Sequence, residues 1–334
     1  MRSPSAKGPL SDAANVSERI VHVGANHPAG AWLLPELADL DRCDLFHAPA
    51  NVLPARLRMK TLVTVHDIMW LTAPQLCDAS LAGAIKRPYF AAGIRRAIAH
   101  ADRIATVSQA TADAIETRFP GVADRLRVTR SGVASRFRPV ASEPDLLSRL
   151  AIGADQPFAL VVGQSAPYKN HAAALEGFAR ALGGKPDCLI VFVQRRTAGG
   201  PSLAAMARKL GVERQVRFAS GLSDGELVAL YSSARLLLHP SLCEGFGNPI
   251  AEAMACGCPV ITSDGGAMKE VAGGAAAPVD PEDVAAIASA LGALWNDRDA
   301  LSRWRSKGLE RARTLRWADF AAANVAIYRE LVGG

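Results

Sequence analysis

The sequence has no long apolar segment. No uncharged apolar run approaches the roughly 18 residues that a membrane-spanning helix needs, so the chain is not expected to cross a bilayer. Its first twenty residues, MRSPSAKGPLSDAANVSERI, are polar and lack the apolar core of a signal peptide. We therefore predict a cytoplasmic protein.

Cysteine is scarce and scattered. Only Cys256 and Cys258 lie close together among the six cysteines, and neither a second pair nor a nearby histidine completes a zinc site. We therefore predict buried or incidental thiols in a reducing compartment, and no metal site. The motif Gly-x-Gly-x-x-Gly after a strand is also missing, which disfavours a dinucleotide oxidoreductase.

The composition excludes disorder, collagen and a coiled coil as the overall plan. Hydrophobic residues make up 49% of the 334 positions and charged residues 21%, with 28 Gly and 20 Pro. Such a chain is globular, and its length suits two domains that each bury a core.

The excess of positive charge lies in the first part of the chain. The net charge is +6, and residues 1–140 carry 18 Lys and Arg against 12 Asp and Glu, whereas the rest is balanced. This excess suits an anionic partner or the inner surface of a membrane, and a solvated basic face is an equal alternative. No basic motif interleaved with aromatics is present, so we expect no nucleic acid partner.

Short apolar runs alternate with longer helical segments from Asp44 onward. TLVTVHD and RIATVS predict buried strands, and LAGAIKRPYFAAGIRRAIAHA between them predicts a helix. The alternation restarts after the linker FRPVASEPDLL, with FALVVG, CLIVFVQ and RLLLHPS as strands. The pattern predicts two parallel, doubly wound α/β units that meet near residue 140 and enclose a ligand cleft.

Residues 239–261, HPSLCEGFGNPIAEAMACGCPVI, carry the most specific pattern. An apolar strand ends at His239, a loop with two glycines follows, and a helix begins near Asn248. Backbone N–H groups at such a helix start attract anions, and the glycines let a ligand approach the backbone. Glu244 and Glu252 bracket the turn and can accept hydrogen bonds from sugar hydroxyls. Together these features predict a pocket for a nucleotide sugar.

The spacing Glu-x7-Glu, preceded by PSLC and followed by AMACGCPVI, closely resembles the retaining GT-B glycosyltransferases of family 4, also called group 1. VVGQSAPYKNHAAALEGFARA extends the resemblance, which covers roughly residues 44–330. It implies a GT-B fold in which two Rossmann-like domains face each other across a cleft. Residues 1–140 would form an acceptor-binding domain of reduced length, residues 141–315 a donor-binding domain, and residues 316–334 a helix that packs back on the first domain.

The resemblance also implies a role for each matching position. Glu252 would hold the ribose hydroxyls, Glu244 would contact the transferred sugar, and Lys169 would neutralise the diphosphate leaving group. His66 would reach the transferring sugar from the acceptor side. The implied catalytic residues are His66, Glu244 and Lys169. The implied donor-binding residues are Glu252, Phe246, Gly247, Asn248, Gly163, Ser220, Gly221 and Leu222. From the residues alone, a surface lysine at 169 and a structural histidine at 66 stay open.

The function expected from this resemblance is transfer of a hexose from a UDP-, GDP- or ADP-sugar, with retention and without a cofactor or an obligatory metal. The acceptor would be a glycan or a lipid-linked molecule in polysaccharide or glycolipid biosynthesis. The basic helix at 84–103 suits peripheral contact with the inner membrane, and an ordinary core-packed helix with a basic outer face is an equal alternative. Family members often carry Arg where Tyr168 stands, so Lys169 would act with a helix N-terminus or with an Arg elsewhere in the chain. A non-catalytic nucleotide-sugar or glycan-binding module, a GT-B epimerase and a phosphorylase remain alternatives.

Overall fold

Two parallel β-sheets, each covered by helices, form the fold. A computed structural model describes residues 8–9, 11–22, 28–40, 42–194 and 202–333. The first sheet lies within residues 45–128 and the second within residues 158–279. The predicted α/β class, with two units of parallel sheet and helix, is confirmed.

The first sheet has four parallel strands in chain order. They are β1 Leu45–Ala48, β2 Lys60–Val65, β3 Arg103–Thr106 and β4 Leu126–Val128. The helices of this half are α1 Pro28–Ala38, α2 Met69–Thr72, α3 Pro74–Cys77, α4 Leu81–His100 and α5 Gln109–Arg118, with a 3-10 turn at Ala123–Arg125. Both faces of the central strands are covered, which is why Leu62, Val63 and Ile104 are all apolar and fully buried.

The second sheet has six parallel strands and reverses its order once. They are β5 Phe158–Val162, β6 Leu189–Val193, β7 Val216–Ala219, β8 Leu236–His239, β9 Val260–Ser263 and β10 Ala277–Val279. Their spatial order is β10-β9-β8-β5-β6-β7, so the chain builds outward from β5 on one side and then restarts at β8 on the other. Such a switch point opens a crevice at the carboxyl ends of the two strands, where ligands bind.

Helices cover this second sheet as well. They are α6 Pro144–Arg149, α7 His171–Leu182, α8 Leu203–Lys209, α9 Asp224–Ser233, α10 Asn248–Ala255, α11 Gly266–Ala272, α12 Val284–Asn296 and α13 Arg298–Ala312, with 3-10 turns at Pro167–Lys169 and Glu213–Gln215. Within the described part of the chain, no helix has both the length and the apolar character needed to span a membrane.

The last helix returns to the first sheet. Helix α14, Trp317–Val332, packs on β1 and β2, and its Ile327 and Leu331 are buried against Leu62. The Glu330 carboxylate accepts hydrogen bonds from arginines on β3 and β4, each at 2.7 Å. The C-terminal residues therefore complete the core of the N-terminal half.

Two backbone segments cross between the halves side by side. The Val133 N–H donates to the Leu315 carbonyl at 2.9 Å. Gly132 lies against the same returning segment, where a Cβ atom would come within 2.2 Å of the Trp317 nitrogen. Only glycine fits at this position without displacing backbone, so the crossing is tightly packed.

Candidate functional site

The candidate site lies at the switch point of the second sheet. Gly163 directly follows β5, and the loop of residues 240–247 connects β8 to α10. Because the carboxyl ends of parallel strands share one edge, these two segments meet there although they are far apart in sequence. The predicted helix start near Asn248 is confirmed by α10.

Gly163 makes room for the side chain of Lys169. A Cβ atom at Gly163 would lie 3.1 Å from Cδ and Cε of Lys169, closer than most such contacts. Lys169 ends the 3-10 turn Pro167–Lys169 and is only 7% exposed. Its Nζ lies 5.2 Å from the centre of the Tyr168 ring, and the Tyr168 hydroxyl accepts a hydrogen bond from Gln164 at 2.9 Å. The lysine is therefore buried and not a surface residue.

Lys169, Glu244 and His239 form a buried cluster at this edge of the sheet. Nζ of Lys169 donates to Oε1 of Glu244 at 2.7 Å, and Nε2 of His239 lies 3.2 Å from the same oxygen. Burial alone would raise the pKa of Glu244, but the hydrogen bond from His239 and the charge of Lys169 outweigh it and hold the pKa at about 2. Glu244 is therefore ionised and fixed in orientation.

His239 is neutral in this cluster. Its ring is buried, and burial lowers its pKa although Glu244 acts in the opposite direction. Nε2 also lies 3.1 Å from the hydroxyl of Ser241. The sequence analysis placed His239 only at the end of an apolar strand, and its contact with Glu244 was missed. Its place as the last residue of the strand that leads into this loop was the available signal.

The loop between Glu244 and α10 presents backbone groups rather than side chains. Gly247 adopts φ +101°, a left-handed conformation that favours glycine, and it precedes the helix as its N-cap. No side chain caps the first turn of α10, and Pro249 follows Asn248. Asn248 is exposed while Phe246 is buried beneath the loop. An uncapped helix start of this kind favours a bound anion.

Glu252 lies one turn into α10. The Tyr231 hydroxyl donates to its Oε2 at 2.9 Å. Burial raises the pKa of Glu252, while the hydrogen bond from Tyr231 and the charge of Arg136 partly offset the shift. Tyr231 is fully buried and was also missed from the sequence. A carboxylate with one oxygen held and one oxygen free suits the binding of a diol.

The segment of residues 220–222 follows β7, two strands away from β5 in the same sheet. Ser220 and Gly221 are exposed, and Gly221 has φ +68°. Leu222 packs against the core of this half. The capping box of Ser223 and Glu226 then starts α9. The segment therefore lies at the same carboxyl edge of the sheet as the candidate site.

His66 lies beside the site, at the end of a strand of the first sheet. It directly follows β2, is exposed, and its Nε2 lies 2.9 Å from the carbonyl oxygen of Pro49. Gly245 abuts its backbone, because a Cβ atom there would lie 2.0 Å from the His66 carbonyl oxygen. The Ser108 hydroxyl donates to the Gly245 carbonyl at 2.7 Å. The structure thus brings His66 next to the loop that carries Glu244.

The cleft between the halves is a pocket with polar and acidic groups. Asp67, Thr111 and Glu244 line it, together with the start of α11. Burial raises the pKa of Asp67, a residue that the sequence reasoning also missed. Among the residues that the structure describes, no group of three or more His, Cys, Asp or Glu is arranged to hold a metal ion.

Two family models match the chain. The model described as "Glycosyl transferases group 1" matches residues 143–311, and the model described as "Glycosyltransferase Family 4" matches residues 9–136. The first therefore covers the second sheet with the buried cluster, and the second covers the half that contains His66.

Several known glycosyltransferases resemble the chain. It is 36% identical to an MMP alpha-(1->4)-mannosyltransferase of Mycolicibacterium hassiacum over 52% of this chain and 42% of that one. It is 29% identical to O-antigen chain mannosyltransferase B of Escherichia coli over 90% of this chain and 77% of that one. The solved structure of WaaG, a glycosyltransferase involved in lipopolysaccharide biosynthesis, superimposes with a TM-score of 0.70 at 18% identity, over 90% of this chain and 81% of that one. The match to the mannosyltransferase of Mycolicibacterium hassiacum spans about two fifths of that protein's length.

Proposed function

Since this chain belongs to the group 1 glycosyl transferases and has the GT-B fold, we propose that it transfers a hexose from a nucleotide diphosphate sugar to an acceptor hydroxyl, with retention at the anomeric carbon. Mannose is the first sugar to test, because both relatives named above are mannosyltransferases. The observation that carries the proposal is the buried cluster, which fixes an ionised carboxylate and a lysine beside an uncapped helix start.

Glu252 binds the ribose in this proposal. Its free oxygen accepts from the ribose hydroxyls, while Tyr231 holds the other oxygen. The segment of residues 220–222 meets the base, and the backbone of Phe246, Gly247 and Asn248 meets the sugar and its phosphates. These positions support the proposal because they all lie along one edge of the second sheet.

Lys169 neutralises the diphosphate as it leaves. Its charge pairs with the Glu244 carboxylate at 2.7 Å. An incoming diphosphate competes for that charge, and the N-terminus of α10 adds a second positive pole. Glu244 then accepts from a hydroxyl of the transferred sugar. The proposed reaction uses no cofactor and no obligatory metal, because these positive groups stabilise the leaving anion.

The acceptor enters from the side of the first sheet. His66 contacts the transferring sugar from this side, which its exposed ring and its place against Gly245 support. We propose that residues 1–140 bind the acceptor, that residues 141–315 bind the donor, and that residues 316–334 brace the first unit. The acceptor is a glycan or a lipid-linked molecule of polysaccharide biosynthesis, reached by a cytoplasmic enzyme at the inner membrane surface.

The experiment compares matched variants in binding and in transfer. Thermal shift against UDP-, GDP- and ADP-sugars first identifies the donor, because a ligand that binds only the native state raises the unfolding temperature. Glu252→Ala should abolish that shift, and Lys169→Ala should reduce transfer by at least ~100-fold. Glu282→Ala and Lys209→Ala, at exposed positions of the same half, are the controls.

Near-normal turnover in Glu252→Ala and Lys169→Ala would overturn the site assignment. Donor binding without acceptor-dependent release of nucleotide, across a panel of glycan and lipid-linked acceptors, would instead identify a binding module. Formation of an isomerised sugar nucleotide would identify an epimerase.

A further inference from the structure

The start of α5 contacts both halves of the molecule. Residues 107–111 follow β3 of the first sheet and include the first turn of this helix. Val107 is buried together with Ile250 and Met254, in the hydrophobic cluster that covers one face of the second sheet. A segment of the first half is therefore inserted into the packing of the second half. We call residues 107–111 the docking turn.

Ser108 joins the docking turn to the loop that carries Glu244. It is the N-cap of α5 and is fully buried, and its Oγ accepts a hydrogen bond from the Thr111 N–H at 3.1 Å. The same hydroxyl donates its proton to the Gly245 carbonyl at 2.7 Å. A hydroxyl can accept and donate at once, so Ser108 caps its own helix and also holds the backbone next to Glu244.

Thr111 joins the docking turn to His66. Its hydroxyl donates to the His66 carbonyl oxygen at 3.2 Å and lies 3.4 Å from the carbonyl oxygen of Gly245. Two hydroxyls in the first turn of one helix thus hold the backbone of His66 and the backbone of the loop from the other half. The docking turn therefore fixes the place of His66 relative to Glu244.

Glu270 keeps helix α11 of the second half docked on the same turn. One carboxylate oxygen accepts from the Ala110 N–H at 3.1 Å, and the other accepts from Nε of Arg130 at 2.7 Å. The Ala110 N–H points out of the first turn of α5, where a carboxylate also suits the positive end of the helix dipole. Arg311 in turn donates to the carbonyls of Glu270 and Val271, at 2.8 and 2.9 Å. Glu270 is therefore held through both its side chain and its backbone.

These contacts involve residues close to the two segments that cross between the halves. Arg130 stands two residues before Gly132, and Arg311 stands four residues before Leu315. A change of angle at a crossing displaces the distant parts of the two halves more than the parts beside it. The docking turn and Glu270 therefore help to fix the angle at which the halves meet.

We propose that Ser108 and Glu270 are positioning residues for sugar transfer. They act through the docking turn, which sets the place of His66 relative to Glu244. The inference rests on the proposed function, because that function assigns both of these residues to the transferring sugar. A misplacement of about 1 Å can lower a rate on the order of 100-fold. Loss of either positioning residue should therefore slow transfer and leave the affinity for the donor unchanged.

Transfer kinetics of the full chain test this assignment with Glu270→Ala and Ser108→Ala. We expect each variant to lower kcat by about 10- to 100-fold and to keep the Kd of the donor. Because the two residues act through one element, the double variant should lose less than the product of the two single losses. Glu270→Gln should recover part of kcat, because its amide oxygen can still accept from the Ala110 N–H.

Two matched controls separate positioning from stability. Asp102→Ala also removes a carboxylate shared by a backbone N–H and a cation, but its partners Thr61 and Lys60 lie in the same half as Asp102. Asp297→Ala removes the N-cap of α13, just as Ser108→Ala removes the N-cap of α5. Both controls should lower the unfolding temperature and keep the wild-type kcat.

Hydrogen exchange of backbone amides tests the same placement without any turnover. In Glu270→Ala, exchange should become faster by about tenfold in residues 64–69 and 243–248, because a lost hydrogen bond to a charged group has an effect of about this size. Neither segment contains the substituted residue, so faster exchange there reports a loosened docking turn. Asp102→Ala should leave exchange in residues 243–248 unchanged.

Three outcomes would overturn the inference. They are a kcat of Glu270→Ala and Ser108→Ala equal to that of the controls, a loss that appears in donor affinity instead of kcat, and unchanged exchange in residues 243–248 of Glu270→Ala. Each of them leaves the proposed sugar transfer of the wild type untouched. A wild-type chain that transfers no sugar would contradict the proposed function, and hydrogen exchange would then still show whether the docking turn holds the two segments.

Discussion

Replacement of Lys169 by Met should destabilise the C-terminal half by about 3 kcal/mol at pH 7. Removing one member of a buried ion pair costs about 3–5 kcal/mol, because the remaining charge has no partner. The pKa of Glu244 supports the lower end of this range. Its fall from 4.5 to about 2 corresponds to about 3 kcal/mol, and the hydrogen bond from His239 causes part of that fall. Methionine keeps most of the volume of the lysine stem, so lost packing contributes little.

Thermal unfolding measures this loss. For a half of this size, 3 kcal/mol lowers the midpoint by about 6–12 °C. The loss of stability in Lys169→Met should become smaller as the pH falls. In the wild type, Glu244 has a lowered pKa, so its contribution is complete above pH 4.5 and is lost as the pH falls toward 2. Without Lys169, burial raises the pKa of Glu244, so the carboxyl becomes neutral in mild acid. The difference in stability between Lys169→Met and the wild type therefore becomes smaller below pH 7.

The double variant Lys169→Met/Glu244→Gln separates stability from activity. It removes both charges, and the Gln amide oxygen can still accept from His239, so most of the lost stability should return. Sugar transfer should stay reduced by at least ~100-fold in both variants. A Lys169→Met midpoint within a degree of the wild type at pH 7, or a deficit that does not change with pH, would refute the assignment of Glu244 as a buried, ionised group.

Three further variants test other contacts of the site. Tyr231→Phe removes the hydrogen bond to Glu252 and raises the pKa of that carboxyl further, so the loss of donor binding in acid should move to higher pH in calorimetric titrations. Gly245→Ala would place a Cβ atom 2.0 Å from the His66 carbonyl oxygen, and it should lower kcat by about 100-fold while donor affinity is kept; an unchanged kcat would show that the contact between Gly245 and His66 does not position the site for transfer. His239→Leu removes a hydrogen bond from the buried cluster, so the acid limb of the pH–rate profile should shift upward, and His239→Gln should restore part of it.

The sequence predicted features that depend on neighbouring residues. Three of these features are consecutive in the chain: the strand that ends at His239, the two glycines after Glu244 and the start of α10. The local sequence pattern was therefore sufficient to predict them. Helix α1 was not predicted, because Pro35 lies inside it and the flanking text has little periodicity.

Contacts between distant segments could not be predicted from local sequence patterns. Lys169 and Glu244 are 75 positions apart, and the sequence around neither residue predicts that they form an ion pair. The close approach of Gly245 to His66 joins the two halves, and it follows from packing that no single segment encodes. The resemblance placed these residues in one site, and the physical reason for each position needed the structure.

The return of α14 to the first sheet has a consequence for synthesis on the ribosome. The N-terminal half is made before the helix that covers Leu62 and Ala105, and the whole second sheet lies between them in the chain. Until residues 317–332 emerge, one apolar face of β1 and β2 has no cover, while the second sheet is already complete. Because transiently exposed sheet surface promotes aggregation, the nascent chain is most vulnerable in the half that has been in solution longest.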